Sequence, residues 1–130
     1  MSKSDDDSAR PPRKTPVLFG HDDAEQTLLD AYRSGRIPHA LLIGGPAGIG
    51  KATLAYRLAR FVLANPDPAL PAVQKAASLA IGENDHTFRQ IAADTHGGLL
   101  TLERTPNEKG VMLSLIHISE PTRLLRISYA

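Results

Sequence analysis

Residues 44 to 53 read GGPAGIGKAT, a spacing suited to gripping a phosphate: Gly45, four residues, then Gly50 and Lys51. Such a loop normally continues with Ser or Thr, but here the position is Ala52, and Thr53 stands one place further on. Across Gly45, Pro46, Ala47, Gly48, Ile49 and Gly50, backbone N–H groups can converge on an anion because the glycines put no Cβ in the way. A helix opening at Lys51 adds the partial positive charge of its N-terminus, and the lysine side chain can reach the terminal phosphates. The hydroxyl that is missing is the one that holds Mg²⁺. Losing one contact to a charged group costs about 1.5–3 kcal/mol, unless a water takes the hydroxyl's place on the metal. Thr53 lies about 100° further round the helix, where it can touch an inner phosphate but is badly placed for the metal. These residues predict a nucleotide site that is weakened or vestigial, with hydrolysis impaired more than binding.

Hydrolysis also requires an acidic residue at the end of a second apolar strand. Glu103, after Leu99 to Leu102, is the candidate, with a solvated strand end as the competing reading. No residue is assigned a catalytic role. His21 stands beside a helix start close to the loop and could border a nucleotide base, whereas His39 at a strand start reads as structural. His86 and His96 lack the spacing of metal ligands, so no metal site is assigned. The absence of cysteine excludes disulfides, thiolate zinc sites and cysteine nucleophiles. A net charge of +1 gives no basic field that would by itself predict nucleic-acid binding.

The elements that must position the loop are legible on either side of it. Residues 1–16 carry Ser, Asp, Arg, Lys and Pro with little to bury and predict a disordered leader. Asp22 with Glu25 resembles a capping pair, and Ala24, Leu28, Leu29 and Tyr32 recur at helical spacing until Gly35 offers a left-handed stop, predicting a helix over 22–34. The apolar run 39–43, ended by glycines, suits a strand buried on both faces. From Lys51 to Ala64, Leu54, Ala55, Leu58, Phe61 and Val62 form one stripe with Arg57 and Arg60 opposite, which predicts a helix packed on a sheet. Asn65-Pro66-Asp67-Pro68 stops it. Residues 72–94 predict two helices, the second over about 84–94, and Leu99 to Leu102 a second parallel strand. With 130 residues, 42% of them hydrophobic, the chain forms one domain at most, and it lacks the apolar runs of a signal peptide or membrane helix, so a soluble cytoplasmic protein without membrane contact is expected.

The run Phe19-Gly20-His21, then Ala24-Glu25, then GRIPHALLI from Gly35 to Ile43, followed by GGPAGIGKAT and LAYRLARFVLA, resembles the δ′ (delta-prime) subunits of bacterial DNA polymerase III clamp loaders. That family belongs to the AAA+ class, and the resemblance covers roughly residues 17–104. It implies a three-layer αβα domain with a parallel sheet, of which residues 17–112 would be the N-terminal part, and an ATP site that is degenerate because the subunit is a stator. It also implies partners: the δ and γ/τ subunits and, through the assembled complex, the sliding clamp and primed DNA. The second acidic motif, arginine finger and assembly domain of that family would lie downstream of the matching residues. Many relatives carry a cysteine-ligated zinc module after the phosphate-loop helix, and without cysteine no zinc is expected here. A competent AAA+ ATPase, such as a motor subunit or helicase loader, and a generic nucleotide-binding or interaction module are the alternatives.

Residues 113–130 carry a different signature. LSLIHISEPTR, Leu113 to Arg123, is the translation of a common transposase sequencing adapter; Leu124-Leu125-Arg126 fill the gap that an index occupies, and Ile127-Ser128-Tyr129-Ala130 match the adapter bases that follow. The segment is therefore expected to carry no functional information, with the gene's own sequence ending at or near Met112.

Overall fold

The fold was analysed on a computed structural model that describes residues 11–14, 20–37, 40–44, 50–103, 114–120 and 123–129. Of the segments read above, residues 1–10, 15–19, Pro38-His39 and the loop residues 45–49 lie outside the described residues. After a 3-10 turn at Pro12–Lys14 come α1 (Asp22–Arg33), β1 (Ala40–Ile43), α2 (Lys51–Ala64), α3 (Pro71–Gln74), α4 (His86–Ala92), β2 (Leu99–Glu103), β3 (Ser114–Glu120) and β4 (Arg123–Tyr129). The early turn packs against α2 and α4, so this part of the expected leader is ordered. No helix among the described residues is long and apolar enough to cross a membrane.

Helix α1 starts differently from the expected capping pair. His21 occupies the N-cap without a side-chain hydrogen bond, and Asp22 is the first helical residue. The reason is the fate of Glu25, whose carboxylate is bonded to Arg57 and so does not fold back over the helix end. Its backbone N–H donates to the His21 carbonyl at 3.0 Å. The far end closes as the sequence predicts, one residue early. Gly35 has φ +75°, its N–H donates to the Tyr32 carbonyl at 3.0 Å, and the Arg36 N–H donates to Ala31 at 3.1 Å. This paired closure satisfies two carbonyls that the last turn would otherwise leave open.

Helix α2 has the predicted bounds, but both of its sides are covered. It packs on β3 and β4 through one face and meets α1, α4 and the 3-10 turn through the other. Every residue from Leu54 to Leu63 is buried, so the side opposite the apolar stripe, where Arg57 and Arg60 stand, is covered as well. Asn65 ends the helix, its backbone N–H and its Nδ2 both donating to the Phe61 carbonyl at 3.0 and 3.1 Å. Tyr32 of α1 donates its hydroxyl to the Asn65 carbonyl, and its ring meets Phe61 edge-on with centroids 6.0 Å apart.

The alanine-rich run after Pro68 forms a single turn, α3, followed by irregular chain in place of the first of the two helices expected there. The Leu79 N–H is directed to the Glu25 carboxylate at 3.0 Å instead of to a helix carbonyl. The second expected helix is present as α4. Asp85 caps it by accepting from the Thr87 N–H at 2.8 Å.

The sheet departs most from expectation. Its strand order is β1-β4-β3-β2, with β1 parallel to β4 and the other two pairings antiparallel. Strand β2 therefore runs in the direction of β1, as a parallel strand would, but pairs with β3 and is separated from β1 by the β3–β4 pair. The physical cause is the alternation in residues 114–129. Ile116, Ile118, Leu125 and Ile127 are fully buried against the helical layer, and such a period-two ribbon can pair with β1 on one side and β2 on the other. How a segment folds is independent of the origin of its codons, and these residues fold as the centre of the sheet. The opposite face is exposed at Ala40, Leu42, Leu100 and Arg126, so the described residues form two layers instead of the expected three.

Replacing Gly35 with alanine should destabilise the fold by about 1 kcal/mol, since no atom lies within 4 Å of the added Cβ and only the positive φ opposes it. Urea denaturation checks this, and an unchanged midpoint would contradict the closure described for α1. A chain ending at Met112 should lose its cooperative circular-dichroism melt, because β1 and β2 would keep no strand between them. A sharp transition in that shortened chain would mean that the helices alone carry the stability.

Candidate functional site

Three element ends converge on one small cavity. β1 delivers Ile43 and Gly44, α2 begins with Gly50, Lys51 and Leu54, and the start of α1 contributes His21 and Ala24, enclosing about 100 Å³. The strand–glycine–helix order that the phosphate-loop reading requires is present. Gly50 sits at the N-cap of α2 with φ +92° and ψ 23°, a left-handed conformation that strongly favours glycine. From that cap the first intrahelical bond of α2 runs from the Leu54 N–H to the Gly50 carbonyl at 2.9 Å. Lys51 follows as the first helical residue and is 8% exposed, lining the cavity. Ala52 and Thr53 are both half-buried on the same turn. Gly45, Pro46, Ala47, Gly48 and Ile49, the remaining residues of the predicted grip, lie outside the described residues.

The cavity is apolar along Ala24, Ile43 and Leu54 and polar towards Lys51 and His21. At about 100 Å³ it is smaller than the roughly 300–1,000 Å³ of sites that enclose a whole drug-sized ligand. His21 lines this cavity together with Gly50 and Lys51.

The backbone of Glu103 is not adjacent to the end of β1. The pairings Ile43 with Tyr129, Tyr129 with Ser114 and Ser114 with Glu103 form one row across the sheet. Glu103 therefore ends its strand at the same level as β1, but three strand spacings away, about 14 Å between backbones. Among the described residues no group of three or more His, Asp or Glu side chains is placed to hold a metal ion.

Outside the cavity, two buried cations on α2 were missed as such by the helical pattern. Arg57 donates from Nε to Glu25 Oε1 at 3.0 Å and makes a second, closer contact through Nη2. Arg60, 2% exposed, places its guanidinium 4.5 Å from the centroid of the Phe88 ring. Burial, and secondarily the charge of Arg57, lower the Arg60 pKa to about 10, so it remains a cation at neutral pH. His96 is lowered from its ordinary value by burial and then by the charge of His86. Its Nδ1 accepts from the Gly98 N–H at 3.0 Å, consistent with a structural role at the turn into β2. The only sequence signal for the arginine pairings was the presence of Glu25 and Phe88, since nothing in spacing links residues so far apart.

Searches of protein-family models, of curated proteins and of solved structures give no match to this chain.

Proposed function

We propose that this chain is the N-terminal part of an AAA+ P-loop domain, from a δ′-like stator subunit of a bacterial clamp loader, with a weak ATP site built on Lys51. The observation that supports the phosphate site is the left-handed Gly50 followed at once by a helix whose first residue, Lys51, lines a cavity at the end of an apolar strand. The stator role rests on the resemblance of residues 17–104 and on Ala52, which supplies no metal ligand. On this reading the domain binds δ and γ/τ subunits and supports clamp loading on primed DNA without turning over ATP itself.

The phosphate grip and the metal requirement are separable. Lys51 meets the anion directly, so a Lys51→Ala chain should bind a fluorescent ATP analogue about tenfold more weakly, the loss of about 1.4 kcal/mol. Chelating Mg²⁺ should change the affinity of the unaltered chain by less than about twofold, since Ala52 offers the ion no ligand. Fluorescence titration measures both, and equal binding by the Lys51→Ala chain would remove the phosphate site. Steady-state phosphate release should stay at background. Mg²⁺-dependent turnover, little altered by Ala52→Thr, would instead make the chain a competent ATPase. The adapter reading of residues 113–130 is checked by sequencing the source DNA across the Met112 codon: the frame should diverge from LSLIHISEPTR there.

A further inference from the structure

Glu25 and Arg57 form a buried ion pair one residue from Ala24 and three from Leu54, the two cavity-lining positions that face each other from α1 and α2. Glu25 Oε1 accepts from Arg57 Nε at 3.0 Å and from the Leu79 N–H at 3.0 Å, with Arg57 Nη2 also in contact. Both side chains are under a tenth exposed. A charge held this way is removed from water and anchored by three donors on two other parts of the chain, which makes its position hard to shift. We propose that the Glu25–Arg57 pair is a positioning device that holds the first turn of α1 against the middle of α2, one turn beyond Leu54, and so sets the apolar wall of the cavity, where the ring of a base would lie.

This inference rests on the nucleotide-site reading and adds a division of labour to it. The loop and Lys51 grip phosphates, while the ion pair governs only the ring-binding wall. No atom of Glu25 or Arg57 lines the cavity, so neither touches the ligand; they act through Ala24 and Leu54. A pair that served only to stabilise the fold would affect ring and phosphate binding alike at temperatures where the chain is folded.

The experiment compares two probes on the full chain: a fluorescent ATP analogue, and inorganic tripolyphosphate as a competitor that has no ring. Glu25→Gln keeps the size of the side chain and removes its charge. It should raise the Kd for the ATP analogue about tenfold, as expected for a wall displaced by a fraction of an ångström, and leave the Kd for tripolyphosphate within about twofold. Arg57→Lys, which keeps the charge but loses the two-pronged contact, should give a smaller shift of the same kind, and it carries the test if Glu25→Gln does not fold. Circular dichroism at the titration temperature establishes that each variant is folded. Equal changes for both probes, or no change for either, would overturn the positioning role. If the unaltered chain binds tripolyphosphate but gains nothing from the ring, the inference fails and the phosphate site stands. If it binds neither probe, both fail together.

Discussion

Helix α2 has no solvent face, and much of the remaining structure answers that constraint. Ten consecutive residues, Leu54 to Leu63, are buried, so a helix written with an amphipathic stripe has to satisfy two arginines in its interior. Each is handled by a different physical means. Arg57 meets a carboxylate, while Arg60 lays its guanidinium over an aromatic ring, where the attraction of a cation for a π-face lowers the cost of leaving water. These partners come from α1 and α4, so the helices on the outer side are fixed by the charges they neutralise as well as by the apolar area they bury. The inner side has no such specificity: Ile116, Ile118, Leu125 and Ile127 supply area without polar contacts.

Glu25 shows how a single side chain can redirect local structure at several places. Bound to Arg57, it leaves the N-terminus of α1 without a reciprocal cap, and by accepting the Leu79 N–H it draws the chain after α3 out of helical pairing. A carboxylate of this kind is more costly to remove than its net contribution suggests, because a buried guanidinium would lose its ion pair, a loss of about 3–5 kcal/mol.

The parts of the fold that were legible in the sequence are those encoded within a few residues. Lys51 opens its helix where the loop pattern ends, Asn65 and Pro66 close it, and Gly35 terminates α1 because a positive φ is needed at that position. β1 follows from an apolar run too short for a helix and bounded by glycines. What was not legible depends on partners distant in sequence. Arg57 and Arg60 sit at helical spacings opposite the apolar stripe, and what covers them comes from Glu25 and Phe88, more than twenty residues away in either case. The sheet order was hidden for a related reason. Leu99 to Leu102 encode a strand, but its neighbour was decided by the alternating apolar residues of the 114–129 segment, which had been set aside because of their codons. Around the cavity, the helix start at Lys51 was readable from the sequence, and the number of strands between β1 and β2 was not.

The row that joins Ile43, Tyr129, Ser114 and Glu103 has a consequence for how reactive groups can be brought together on such a sheet. Distances along it change only in whole strand spacings, because each partner is locked by ladder hydrogen bonds and cannot drift between registers. Glu103 and the end of β1 already share a level and a strand direction. What separates them is a count of intervening strands. The two strand ends are therefore held apart by a whole number of strand spacings, a separation the ladder sets in steps and not continuously.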